Sequence, residues 1–141
     1  MNRPLAGLRV VELASEIAGP YCAKLLVDLG ADVRKVEPPS GDPLRRWGPF
    51  PPGGPHPERS GLFEYLNAGK RGATVDFAHE RGLEVLREMI SLADVLVEDL
   101  PGAHLSAGRG VWTRKPWPGS TRISSWSGSP ASARRGHCVT G

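Results

Sequence analysis

Apolar and polar residues alternate in short blocks along the first hundred residues of the chain. The apolar run Arg9–Leu13 predicts a strand. A helix is expected to begin at Gly19-Pro20, because proline is tolerated in a first helical turn, and to end at Gly30, where glycine readily adopts the left-handed conformation. Asp32–Val36 predicts a second strand. A strand, a helix and a strand within about thirty residues predict a βαβ unit with parallel strands.

Helix and strand breakers then interrupt the pattern between residues 38 and 61, which hold eight Pro and five Gly. This density of breakers predicts a long surface loop. The loop is compatible with two roles. It could be a solvated connection, or Arg45 and Arg46 beside Asp42 could hold an anionic ligand.

The periodic pattern returns after the loop. Leu62–Leu66 regains apolar spacing, and residues 67–72 predict a turn that leads into a strand at Ala73–Phe77. His79–Ser91 predicts an amphipathic helix, since its large apolar residues recur at helical spacing. Val95–Glu98 predicts a further buried strand. This alternation predicts an α/β fold with a mostly parallel sheet and flanking helices.

Charge divides the 141 residues into two parts. Residues 1–102 carry 12 Lys and Arg against 15 Asp and Glu, a balance of −3, whereas residues 103–141 carry six basic residues and no acid. Three of the four Trp also fall in the second part. We therefore predict one folded unit at 1–102 and a basic Ser/Gly/Arg-rich tail at 103–141 that is too polar to build a core. The tail has no repeat or fold signature for nucleic acid, so no nucleic-acid partner is expected.

Several other classes of protein are excluded by composition. No run approaches the ~20 apolar residues of a membrane span, and the basic start is not followed by the apolar core of a signal peptide. Two cysteines give no disulfide framework, and the four histidines show no metal-binding spacing, so no metal site is expected. A cytoplasmic protein without membrane attachment is the resulting expectation.

Candidate binding segments follow the predicted strands, because open parallel sheets bind ligands at the carboxyl ends of their strands. These segments are Ala14–Pro20, Glu37–Gly41 and Glu98–Gly102. The start of the first predicted helix offers free N–H groups to a phosphate, although the dinucleotide fingerprint G-x-G-x-x-G is absent.

The candidate side chains leave alternatives open. Lys70 and Arg71 could clamp a phosphate or solvate a turn. Glu37 and Glu98 could act as general bases, or could cap a helix or pair with an arginine. No catalytic residue is assigned from these patterns.

Six blocks of residues 4–102 resemble the N-terminal part of the class III CoA-transferases, the family that includes formyl-CoA transferase, carnitine CoA-transferases and α-methylacyl-CoA racemase. The blocks keep the order and spacing of that family. They are Pro4–Leu13, Ala18–Pro20, Leu29–Glu37, Gly41–Pro43, Asn67–Arg71 and Ala93–Glu98.

The resemblance implies that this chain is the incomplete N-terminal part of a Rossmann-like α/β large domain, and that the intact protein is a homodimer. It also implies coenzyme A as the ligand, with an acyl-CoA and a carboxylic acid as substrates. The implied CoA contacts are Ile17, Ala18, Val75, Asp76, Phe77, Ala78, Asp99 and Leu100. Some members have Arg where this chain has Pro38 and Lys where it has Ala78, and Asn-Phe is common where it has Asp99-Leu100.

The family's nucleophilic aspartate lies further along the chain, where it attacks the acyl-CoA thioester to form a mixed anhydride. Asp99 is the last acidic residue here, so the chain is expected to be truncated before the nucleophile and inactive alone. Two alternatives remain: a non-catalytic CoA- or nucleotide-binding remnant, and a fragment of an acyl-CoA racemase. A further hypothesis is that residues 103–141 are the family's next segment read in a shifted frame.

Overall fold

The computed structural model describes residues 3–99 and the strand at 121–124. The elements in chain order are β1 (Arg9–Leu13), α1 (Ala18–Asp28), β2 (Asp32–Glu37), a 3-10 helix (Pro43–Arg46), α2 (Gly61–Asn67), β3 (Arg71–Thr74), α3 (Glu80–Ser91), β4 (Val95–Glu98) and β5 (Thr121–Ser124).

The strands form one sheet in the order β3-β2-β1-β4-β5, and every pair of neighbours is parallel. From β1 the chain moves outward through β2 to β3, and it then returns to the other side of β1 with β4. The strand order therefore reverses between β1 and β4. In sheets of this kind a crevice opens at the carboxyl ends of the strands at such a switch point. The predicted α/β fold is confirmed.

Helices bury both faces of the sheet. Val10 packs in a cluster with Ala23 of α1, whereas its neighbour Val11 packs in a second cluster with Leu86 and Ile90 of α3. Successive strand residues point to opposite faces, so each face of β1 receives every second side chain. Burial on both faces explains why β1 and β4 read as mostly apolar runs rather than as an alternation.

Strand β3 differs from its expected position at Ala73–Phe77. The parallel register pairs residues 34–37 of β2 with Arg71–Thr74, so the strand begins two residues earlier. It ends because the side chain of Asp76 accepts a hydrogen bond from the backbone N–H of Ala78 at 3.0 Å, which forms a turn. Residues 75–78 consequently connect β3 to α3.

The proline-rich segment is more ordered than its breakers suggested. Asp42 accepts a hydrogen bond from the Leu44 N–H at 2.8 Å and so caps the short 3-10 helix, whose Leu44 is fully buried. Ser60 donates to the Trp47 carbonyl at 2.6 Å and caps α2 at the Phe63 N–H. A single 3-10 turn tolerates proline in its first position, which is why the breakers did not exclude it.

Strand β5 lies at the edge of the sheet, where Thr121 pairs with Val95 and Ser124 with Glu98. It belongs to the segment at 103–141 that the sequence assigns to a separate tail. The rest of that segment lies outside the described residues, and its assignment as disordered or frame-shifted stays a prediction.

Candidate functional site

At the switch point, where a ligand crevice is expected, a side-chain contact joins the ends of β1 and β4. Asp99, directly after β4, accepts a hydrogen bond through Oδ1 from the backbone N–H of Ser15, just beyond β1, at 2.9 Å. Gly19 lies beside this contact. A Cβ atom at Gly19 would overlap the Cβ of Ala14 and come within 3.0 Å of Asp99 Oδ2. The carboxylate therefore lies against the first turn of α1.

Two of the expected contact residues form the start of α1. Ile17 is the N-cap residue and Ala18 is the first residue of the helix, and both are exposed. No side chain caps this helix by a hydrogen bond. Uncapped N–H groups in a first turn carry a partial positive charge and suit an anionic ligand. Ile17 and Ala18 lie in the chain between Ser15 and Gly19, the two residues that lie against the Asp99 carboxylate.

The expected contact segment at residues 75–78 also lies at the carboxyl end of a strand, but of β3 rather than of β1 or β4. Val75 is buried and donates its N–H to the Glu37 carbonyl at 2.9 Å. Phe77 packs against the core beneath α3, while Asp76 is half-buried and Ala78 is exposed. This segment follows β3, two strands from β1, or roughly 10 Å at the usual strand spacing. Leu100, the eighth expected contact, lies outside the described residues.

A buried ion cluster lies under the crevice on the α1 side of the sheet, and consists of Glu12, Lys35, Asp42 and Lys70. Lys35 Nζ lies 3.0 Å from Glu12 Oε1 and 2.7 Å from Asp42 Oδ2. Lys70 Nζ lies 2.7 Å from Glu12 Oε2. All four side chains are at most 2% exposed. Two ammonium groups and two carboxylates balance, which is the condition under which charges are tolerated in a protein interior.

The buried ion cluster also fixes the backbone around the crevice. Lys35 donates to the Ala14 carbonyl at 2.8 Å, at the end of β1. Lys70 donates to the Pro20 carbonyl in the first turn of α1 and to Asn67 Oδ1, both at 2.8 Å. Burial lowers the pKa of Lys70, because it removes the ammonium from water, and the Glu12 carboxylate opposes this shift. Lys70 is therefore an internal structural group, and the phosphate-clamp alternative does not apply to it.

Glu37 forms a separate ion pair with Arg45. Two bonds join them, from Arg45 Nε to Oε2 at 2.7 Å and from Nη2 to Oε1 at 2.9 Å. Burial raises the pKa of Glu37, but Arg45 and the N–H of Asp42 outweigh it, so the pKa lies below its usual value. Arg45 also pairs with Glu58 at 2.8 Å. The ion-pair alternative for Glu37 is thus the correct one, and Arg45 is engaged within the protein.

Asp99 differs from Glu37 in its electrostatic environment. Burial raises the pKa of Asp99, and the nearby carboxylates of Glu12 and Asp42 act in the same direction, while the Ser15 N–H and Lys35 oppose the shift. The outcome is a half-buried carboxyl group whose pKa lies above its usual value. Among the expected contact residues, Asp99 and Asp76 are the two that carry charge.

The sequence contained one signal for the buried ion cluster. Glu12 and Lys35 each stand within an apolar strand, Arg9–Leu13 and Asp32–Glu37, at positions whose neighbours two residues away are buried. A charged residue at a buried strand position requires a partner of opposite charge. Nothing in the spacing indicated that Asp42 and Lys70 would supply the remaining charges, since both stand in loops.

Comparison with known proteins decides the family. The family model described as CoA-transferase family III matches residues 5–108. The chain belongs to CoA-transferase family III. The match extends six residues beyond the segment that the sequence blocks had indicated, and it includes Ile17, Ala18 and Asp99.

Curated relatives and solved structures agree with this family. The chain is 48% identical over 105 residues to the succinyl-CoA:(R)-benzylsuccinate CoA-transferase subunit BbsE of Thauera aromatica, which covers 74% of the chain and 25% of the relative. It is 44% identical over 109 residues to the succinyl-CoA–L-malate CoA-transferase beta subunit of Chloroflexus aurantiacus, covering 76% and 26%. A crystal structure of a CAIB/BAIF family protein from Brucella suis superposes with a TM-score of 0.67 at 44% identity, covering 76% of the chain and 28% of that protein.

The chain spans about a quarter of the length of the curated relatives it matches. The matched segment contains β1 to β4. The longest helix in the described part of the chain has 12 residues, and none there is long and apolar enough to cross a membrane.

Proposed function

We propose that residues 3–99 form the CoA-binding part of a CoA-transferase and that the ligand lies in the crevice between β1 and β4. The observation that carries this proposal is that Ile17, Ala18 and Asp99, all implied as CoA contacts, border the topological switch point of the sheet. Open parallel sheets bind ligands at this point. The uncapped N–H groups at the start of α1 are suited to a phosphate of the ligand.

The proposed reaction transfers CoA from an acyl-CoA to a carboxylic acid. In the first step of that transfer an aspartate carboxylate attacks the thioester carbonyl, the carbon–sulfur bond breaks, CoA leaves as the thiolate and the acyl group remains as a mixed anhydride with the aspartate. The part of the protein described here binds and orients the CoA moiety. Lys35 and Lys70 hold the end of β1 and the first turn of α1 in place from below, so the backbone donors are fixed before the ligand arrives.

Succinyl-CoA is the donor we propose to test first, because the names of both curated relatives described above contain it. Asp99 is the last acidic residue of the 141-residue chain. We therefore propose that this chain binds CoA and acyl-CoA but does not complete the transfer. The same outcome is expected of a non-catalytic CoA-binding remnant.

Two measurements on the purified 141-residue chain test these statements separately. Calorimetric titration with CoA is expected to give saturable binding with one site per chain. Absence of saturable binding would contradict the proposed ligand. Incubation with succinyl-CoA and isotope-labelled succinate is expected to leave the label in free succinate. Transfer of the label into succinyl-CoA would contradict the proposed lack of a nucleophile.

We propose a homodimer as the working assembly, as the resemblance implies, and a cytoplasmic location. Both relatives described above are named as subunits, so a complex with a chain of different sequence is the competing arrangement. Light scattering of the purified protein is expected to give twice the mass of one chain. After cell lysis, the protein is expected in the soluble fraction. Stable co-purification of a second polypeptide would contradict the homodimer.

The shifted-frame hypothesis for residues 103–141 is a proposal about the gene and is tested there. Sequencing of the coding DNA from codon 95 onward is expected to recover a further strand and a later aspartate when one base is shifted. If the printed frame is correct and no family sequence follows in another frame, the hypothesis is wrong.

A further inference from the structure

The carboxylate of Asp99 occupies the floor of the proposed ligand crevice. Its Oδ1 accepts the Ser15 N–H at 2.9 Å, and its Oδ2 is the atom that a Cβ at Gly19 would approach to 3.0 Å. The side chain thus reaches from the end of β4 to the first turn of α1. It therefore occupies the Ser15 N–H, a backbone donor close to the helix start where an anionic ligand would accept hydrogen bonds.

The cations near Asp99 are already engaged with other carboxylates. Lys35, which acts on Asp99 electrostatically, is shared between Glu12 at 3.0 Å and Asp42 at 2.7 Å. Lys70 is paired with Glu12 at 2.7 Å. Asp99 and the buried ion cluster together therefore carry three carboxylates and two ammonium groups. The excess is one negative charge, and it lies at the crevice rather than beneath it.

We propose that the negative charge of Asp99 makes this crevice discriminate between ligands by their charge. It lowers the affinity of the crevice more for a ligand that carries more negative charge. The inference rests on the proposed function, because it concerns the same crevice. Among the described residues no cation forms an ion pair with Asp99, so the phosphates of CoA meet its negative charge when they approach the start of α1. A ligand without phosphates, such as pantetheine, does not.

The amide of asparagine offers a test that preserves the shape of the site. Asp99→Asn keeps an oxygen that accepts the Ser15 N–H and removes the charge. Asp28→Asn is the matched control, because Asp28 is an exposed residue at the opposite end of α1 whose contact is a surface pair with Lys24 at 2.7 Å. Both variants change the net charge of the chain by the same amount.

The experiment measures the affinities of the wild-type chain, D99N and D28N for CoA and for pantetheine by calorimetry. D99N is expected to bind CoA at least about fivefold more tightly than the wild type, which is the order that one unit charge about 4 Å from a phosphate produces even at the dielectric constant of water. Its affinity for pantetheine is expected to equal that of the wild type, and D28N is expected to match the wild type for both ligands. Added salt should reduce the gain of D99N, because it screens the charge.

The remaining outcomes distinguish this inference from the proposed function. If the wild type and D99N bind CoA equally, or if D99N binds it more weakly, the role of Asp99 is wrong while the CoA site stands. An equal gain in D28N would show an effect of net charge and would also overturn the role of Asp99. If neither the wild type nor D99N binds CoA, the proposed function fails and this inference fails with it. Asp99→Ser replaces D99N if circular dichroism shows that the amide variant does not fold.

Discussion

The ammonium group of Lys70 lies 2.7 Å from the carboxylate of Glu12, although the two residues are 58 positions apart in the chain. Glu12 stands within β1, and Lys70 stands in the turn between α2 and β3. The same ammonium group donates to the Pro20 carbonyl in α1. One buried side chain thus ties the central strand, the first helix and the start of an outer strand to each other beneath the crevice.

Removal of the Lys70 charge should be strongly destabilising. Lys70→Met leaves Glu12 with an unpaired oxygen in the interior, and breaking a buried pair in this way costs about 3–5 kcal/mol of the free energy of unfolding. Urea denaturation of the wild type and of Lys70→Met measures this difference in the free energy of unfolding. The control is Arg71→Met, since Arg71 is 70% exposed and its pair with Asp32 is 3.4 Å long; this variant should lose at most about 1 kcal/mol. Equal losses in the two variants would contradict the structural role of Lys70.

Gly19 should not tolerate a methyl group. A Cβ added at this position would overlap the Cβ of Ala14 and approach Asp99 Oδ2 at 3.0 Å, so Gly19→Ala has to displace the first turn of α1. We expect a loss of about 1–3 kcal/mol of stability from overpacking and a weaker affinity for CoA. Gly72→Ala in β3 is the matched control, because a Cβ at Gly72 meets no atom within 4 Å. Calorimetric titration and thermal unfolding of both variants test this. Identical CoA affinities would place the ligand away from the start of α1.

The ion pair of Glu37 with Arg45 predicts a dependence of stability on pH. The pKa of Glu37 in the folded protein lies below its usual value, so its contribution is complete above the unfolded-state pKa of about 4.3 and is lost as the pH falls through the folded-state pKa. Glu37→Gln removes that contribution. The wild type should therefore lose thermal stability more steeply than the variant as the pH is lowered from about 5 to 3. Parallel pH profiles would show that Glu37 is not held as a carboxylate by Arg45.

The strands of the sheet were the most predictable part of the fold. Arg9–Leu13 and Val95–Glu98 were predicted with the bounds that the structure has, because each is a short apolar run buried on both faces. β3 was displaced, since its position depends on its register with β2 and on the turn at Asp76. The propensities of the individual residues indicate neither this register nor this turn.

The candidate site was predictable in part. The rule that ligands bind at strand ends pointed to residues 14–20, 37–41 and 98–102, and the structure brings Ser15 of the first segment together with Asp99 of the third. The buried ion cluster was not predicted, because it joins residues from a strand, a second strand and two loops. Arg45 likewise looked like a candidate ligand contact in the sequence, but its partners Glu37 and Glu58 are known only from the tertiary structure.

An NMR titration of the ¹⁵N-labelled chain with CoA tests whether CoA binds between the ends of β1 and β4. We predict saturable shifts of the backbone amides of residues 15–19 and of Asp99, with smaller changes at the amides of Arg9 and Asp94, which lie at the opposite ends of these strands. Saturable shifts confined to residues away from residues 15–19 and Asp99, or no shifts at all, would contradict it.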